Sequence, residues 1–330
     1  MPFKTLRQLA LFPALCLAFA GTAWAQGQPP AQDWPTRPVT LVVPYAPGGV
    51  LDGLVRPLAQ RLSESLGKPF VVENRAGANT AIGTGVCARG EPTGYTFCAT
   101  GSSVWTNALL QKNLPYDPVK DLAPVTNLVF ADGHIVANSS VPFNDLKGMV
   151  AYAKANPGKL NFGSFGEGST AHMFIEYIKD RAGVDIVHVP YKGAAPVIQA
   201  TLANEVQMTY MATGAVLQHI KSGRMKAIVA PAPQRSPFLP DVPTLAEEGF
   251  DLKPSAWFGL FAAAGTPKPI IDRMQAEVRK ILQDPKFREQ VLTPQFYTPV
   301  GNTPEEFAEF GRREREIAAT LVRVSRLKPE

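Results

Sequence analysis

Four times along this chain an apolar or β-branched run breaks into a short loop of small residues and then resumes with helical spacing. The first instance is VTLVV, then PYAPGG, then a helix in which Leu54, Val55, Leu58, Leu62 and Leu66 share one face before Gly67 stops it. Pro57 inside that helix predicts an irregular first turn. Further on, YTFCA leads into TGSS, LNFGS into FGEGS with a helix from about Ala171, and DIVHV into PYKGAA, where Pro196 suits a first helical turn. A strand that turns into a helix through glycine leaves backbone N–H groups free at the helix start, and the helix dipole adds partial positive charge there. Strands alternating with helices predict a mostly parallel sheet whose ligands lie beyond the carboxyl ends of the strands, where all four loops fall. Two of the loops precede residue 110 and two fall within 160–196, which predicts one pair in each of two lobes with a cleft between them.

The N-terminus bounds where the protein works. Lys4 and Arg7 precede an apolar run from Leu9 to Ala20, followed by Ala23-Trp24-Ala25: the order of a secretory signal peptide over residues 1–25, cut after Ala25. Leu15 before Cys16 argues against lipidation, since a small residue is needed there. Lys4 and Arg7 leave with the leader, so the formal charge of +5 falls to +3, too small and too scattered for nucleic acid. After residue 25 no apolar run approaches the roughly 18 residues of a membrane helix. The expectation is an exported, periplasmic monomer. An oxidising compartment lets Cys87 and Cys98 pair, the alternative being two buried thiols. Cys87 ends a helical pattern and Cys98 lies in the next strand, which predicts a disulfide.

Enzymatic readings fail on spacing. His134, His172, His188 and His219 are far apart and none lies in HExxH, so no metal site is expected; no GxSxG surrounds Ser102, Ser103, Ser164 or Ser169. Gly166-Glu167-Gly168-Ser169-Thr170-Ala171 fits GxGxxA after a strand, yet the acid that should hold a ribose, Asp185, stands at the wrong end of the next strand. A dinucleotide enzyme is thus the weaker alternative. Neutral small-residue loops flanked by Asp52, Ser102, Ser103, Ser164, Tyr191 and Lys192 offer donors to an anion without a general base, which is a receptor's chemistry. No catalytic residue and no cofactor is assigned.

The succession VPYAPGGVLDGLVRPLAQRL, FVVENRAGANTAIGT, PTGYTF, NFGSFGEGSTAHM, HVPYKGAAPVIQATLANEVQMTY, RSPFLPDVPTLAEEGF and WFGLFAAAGTPKPIIDRM resembles the tripartite tricarboxylate transporter receptors, the Bug-type periplasmic solute-binding proteins. That resemblance implies an α/β, two-lobed periplasmic binding fold of type II-like form, with a ligand cleft between lobes. Lobe one would hold 26–133 plus 256–330, and lobe two 134–255. It implies capture of a small organic acid and its delivery to membrane permease subunits or, alternatively, to a membrane sensor in signalling. Two pincer loops would grip a carboxylate through backbone N–H groups: Tyr45, Ala46, Gly48, Gly49, Val50 and Asp52 in the first, Tyr191, Lys192, Gly193 and Ala194 in the second. Ser102, Ser164, Gly166 and Ser169 fall on the remaining cleft loops. Asp52 reads equally as a helix cap, Lys192 as a solvated charge and His172 as a structural histidine. Leu51 and Gln207 stand where the family commonly carries more polar residues. Both are expected near the cleft, favouring a ligand with one carboxylate and a less charged tail.

Overall fold

The computed structural model describes residues 33–191 and 193–327. The leader with its cut after Ala25, Cys16 and Lys192 lie outside the described residues. In chain order the first lobe runs β1 (Val39–Val43), α1 (Val50–Leu66), β2 (Phe70–Asn74), α2 (Ala81–Ala88), β3 (Thr96–Gly101), α3 (Ser103–Leu110) and β4 (Leu122–Ala131). Asp132 then carries the chain into the second sheet: β5 (Gly133–Asn138), α4 (Leu146–Ala155), β6 (Asn161–Ser164), α5 (Thr170–Ala182), β7 (Val187–Pro190), α6 (Ala194–Leu202), β8 (Met208–Ala212), α7 (Thr213–Lys221) and β9 (Met225–Val229). It returns into β10 (Trp257–Ala263), α8 (Lys268–Gln283), the one-turn α9 (Pro285–Phe287), β11 (Tyr297–Pro299) and α10 (Pro304–Ser325).

The sheets are ordered β11-β4-β10-β3-β1-β2 and β7-β6-β8-β5-β9. Both are mixed rather than mostly parallel. β10 pairs antiparallel with β3 and β4, and β5 antiparallel with β8 and β9, because these two strands enter their sheets from the crossing and must run away from it. The others of each core set, β1 to β4 and β6 to β9, point their carboxyl ends toward the crossing. Every loop that follows them except the crossing itself therefore faces the opposite lobe.

Alternation along each strand sends side chains to two faces. Leu41 and Val43 pack with Leu54, Leu58 and Leu62 of α1 and Met274 and Val278 of α8, whereas Val42 faces Trp105, Trp257 and Phe307. Fully burying each such leucine contributes about 1.5–3 kcal/mol. The second lobe buries Phe162, Phe174, Ile178 and Tyr210 on one face, and Val136, Val197 and Val216 on the other. Cys87 on α2 and Cys98 on β3 form a disulfide, with Cα atoms 6.0 Å apart.

Pro57 sits inside a continuous α1 without breaking it. Its missing N–H would leave the Gly53 carbonyl unpaired, and Gln295 Nε2 donates there at 3.3 Å. Thr303 and Glu306, in the order Thr-Pro-Glu-Glu that marks a helix start, form a capping box at the head of α10. The lobe boundaries read from the sequence imply two chain crossings, and this helix adds to them: Phe307 and Ala318 belong to the first lobe's core, Leu321 and Val324 to the second's. α10 is a third link between the lobes.

Candidate functional site

The loop after β1 is shaped by one buried carboxylate. Asp52, 3% exposed, accepts from Gly48 N at 2.8 Å, Arg56 Nε at 2.8 Å and Asn74 Nδ2 at 2.9 Å. Burial by itself would raise its pKa, but these donors together outweigh burial and hold the carboxyl below its ordinary value. Asn74, aligned with Val43 across β1 and β2, also donates to the Tyr45 carbonyl at 3.1 Å. The Tyr45 ring packs edge-to-face on Phe258. Asp52 thus orders the loop from beneath.

The consequence for the backbone is specific. Gly48 N is occupied by Asp52, and Gly49 N points back at the Ala46 carbonyl at 3.4 Å. No side chain caps α1, whose N-cap is Gly49, so the N–H groups of Val50 and the next residues lack intrahelical acceptors. Val50 itself is 62% exposed, a large apolar side chain left in solvent at this helix start. Gly48 has φ +76°, a left-handed conformation that favours glycine, whereas Gly49 at φ −75° is open to any residue and is merely crowded by Ala46 O.

The loop between β7 and α6 is built alike. Tyr191 N donates to Ser164 O at 2.8 Å, anchoring the loop to β6. Gly193, at φ +106°, is the N-cap of α6, again with no side-chain cap, and Ala194 opens the helix exposed.

Ser164 and Ser169 turn out to be committed within their own loop. The buried Ser164 Oγ lies 2.7 Å from His188 Nε2, donates to Gly166 O at 3.0 Å and accepts from Gly166 N at 3.2 Å. Ser169 caps α5 by accepting from His172 N, and donates to Gly166 O at 2.6 Å. Gly168 N donates to His172 Nδ1 at 3.1 Å, and the His172 and His188 rings stack 3.9 Å apart. Burial, then the neighbouring imidazole, holds His188 down to about 4, and burial lowers His172 as well, so the pair is neutral at pH 7. The GxGxxA loop therefore turns two of its amides inward, and Asp185 lies before β7, at the end remote from that loop. Among the described residues no cluster of metal-ligating side chains occurs.

Ser102 is the half-buried N-cap of α3 without a side-chain hydrogen bond to the helix. Beside it, sequence reasoning missed a network: Ser103 Oγ lies 2.9 Å from Thr80 Oγ1, and Asn107 Nδ2 donates to Asn79 O at 2.7 Å. It steadies a run from Gly77 to Thr80 in which every φ is positive. The only sequence signal was the polar cluster in ENRAGANT. Two expectations need correcting. Leu51 is buried in the core beneath α1, because it falls on the helix's inner face. Gln207 precedes β8 and accepts from Asn161 N at 2.9 Å, at the amino ends of β6 and β8 and away from the cleft.

Two α/β lobes, each with a glycine-entered helix start that no side chain caps, have the build of a solute receptor. The comparisons agree. The profile of the tripartite tricarboxylate transporter family receptors matches residues 54–321, and the chain belongs to that family of periplasmic binding proteins. Protein BugT of Bordetella pertussis is 35% identical over 308 residues, 92% of this chain and 94% of BugT. MatC of Rhodopseudomonas palustris, solved with bound malate, is 30% identical with a TM-score of 0.68, covering 88% of this chain and all of MatC. An R. palustris protein solved with adipate is 31% identical with a TM-score of 0.74, covering 90% of this chain and all of that one.

Proposed function

We propose that this receptor, exported and freed of residues 1–25, captures a small organic carboxylate between the starts of α1 and α6 and delivers it to a tripartite tricarboxylate-type membrane permease. What supports the reading is the pair of glycine-entered helix starts, neither capped by a side chain, each following the carboxyl end of a parallel-paired strand in its own sheet. Free N–H groups and aligned dipoles there suit an anion. Relatives solved with malate and adipate support a carboxylate. Charge-assisted hydrogen bonds contribute about 1.5–3 kcal/mol each, so three or four account for most of the roughly 8 kcal/mol of a micromolar complex. With Asp52 engaged below the loop, the first pincer's contacts narrow to the N–H groups from Val50 onward, and with Ser164 and Ser169 engaged, that loop's role narrows to shape. Exposed Val50 and Ile82, at the starts of α1 and α2, offer apolar contact to the ligand's carbon skeleton.

A thermal-shift comparison of malate and adipate with malamide and adipamide tests this. Acids should raise the melting temperature and amides should not. Gly48→Val, which puts a β-branched side chain at φ +76°, should remove the response. Equal stabilisation by amides, or a variant that responds like the parent, would overturn the anion-pincer mechanism.

A further inference from the structure

A cavity of about 600 Å³ lies at the hinge, at the β11 edge of the first sheet and so at the edge farthest from β1 and β2. Phe130, Phe310, Ala256, Pro237 and Ile317 give it an apolar wall, drawn from the crossing segments, the loop after β9 and α10. Phe130 and Phe310 meet edge-to-face at 5.7 Å, which holds that wall in shape. No pincer residue lines it.

Its acids are engaged within the wall and its free cations stand at the rim. Asp132 accepts from Ser236 Oγ at 2.7 Å, and Glu314 accepts from Trp257 Nε1 at 2.8 Å and Ser255 Oγ at 3.1 Å. Burial pushes both acids toward the neutral form. Arg235 is engaged by Glu247. What is left at the rim is Lys253 and Arg313, both exposed and neither in an ion pair among the described residues. Apolar walls with a few convergent polar groups are the usual makeup of a small-molecule site.

We propose that this hinge cavity is a second ligand site, distinct from the interlobe cleft, which takes a monocarboxylate with an apolar body, its carboxylate held by Lys253 and Arg313. Apolar carbon displaces water from the Phe130–Phe310 wall, and the two cations supply charge-assisted hydrogen bonds. An occupant there stands between the lobes at their pivot.

The Trp257 indole N–H is bonded to Glu314, which lines the cavity, so its NMR resonance, assigned with Trp257→Phe, reports occupancy through that carboxyl. Titration with 4-phenylbutyrate should shift that resonance to saturation, and 4-phenylbutyramide should bind at least about tenfold more weakly. The double variant Lys253→Ala, Arg313→Ala, which alters only exposed side chains that form no ion pair among the described residues, should weaken phenylbutyrate by a similar factor. The shift should persist in Gly48→Val, so failure of the pincer mechanism would leave this titration intact. No shift at millimolar phenylbutyrate, an undiminished affinity in the double variant, tighter binding of 4-phenylbutylamine, or loss of the shift in Gly48→Val would each overturn the proposal.

Discussion

Replacing Glu314 by glutamine should remove a pH dependence from the stability of the whole protein. Glu314 lies on α10 where that helix crosses between the lobes and is 5% exposed. Burial is the dominant influence and raises its carboxyl from 4.5 to about 7, against the opposing hydrogen bonds from Trp257 and Ser255 and the positive charge of Arg313. A carboxyl with a raised folded-state value contributes stability that is fully present below its unfolded value and is lost as pH rises through the folded one. Between pH 4.5 and about 7 the folded protein holds a proton that the unfolded chain has released. At about 1.4 kcal/mol per pH unit the loss across that window is about 3 kcal/mol. Glutamine keeps an acceptor for the Trp257 indole and offers its amide N–H to the Ser255 hydroxyl, which rotates to accept, while removing the titration. Urea unfolding of both proteins at a series of pH values measures the difference, in which the other titrating groups cancel. Wild type should lose about 3 kcal/mol relative to Glu314→Gln from pH 4.5 to 7 and nothing further above it. A difference that is flat across that window would refute the assignment of a buried, protonated carboxyl.

Three further outcomes follow from the same geometry. Asp52→Asn should destabilise the protein by roughly 1–3 kcal/mol, because Gly48 N and Arg56 lose a buried charged acceptor. Since the Asp52 value is lowered, wild-type stability relative to that variant is present above the ordinary 3.8 and is lost as pH falls below it, as acid unfolding would show. Removing the Cys87–Cys98 bridge with a Cys→Ser pair should lower unfolding free energy by about 3 kcal/mol from the loop-closure entropy of its 11-residue separation, and unreduced mass spectrometry should find no free thiol in wild type. Saturating ligand should reduce the radius of gyration in solution scattering. Because α10 packs on α5 as well as α3, Leu321→Ala and Val324→Ala should enlarge that difference by freeing the unliganded lobes to open.

The strand, glycine loop and helix order was legible because it rests on local rules: apolar periodicity, Gly67 as a helix stop, the Thr303–Glu306 capping box. Those rules also placed Gly48 and Gly193 at helix entries, and the short turn between Cys87 and Cys98 made their pairing readable. What the sequence could not supply was direction in space. Nothing local to Gln207 says that it sits at the amino end of β8, remote from the cleft, since that depends on β8 lying beside β6. Leu51 and Asp52 are neighbours whose fates diverge because one falls into the core and the other accepts from Asn74, twenty-two residues away. Ser164 and Ser169 are hydroxyls in a glycine loop, and only the approach of His188 from another strand and of the loop's own amides commits them inward. The reach of α10 over both lobes, with a buried carboxyl at the pivot, is likewise a matter of long-range packing. Local spacing determined the elements and the helix starts, and the tertiary contacts decided which polar groups were left free to meet a ligand.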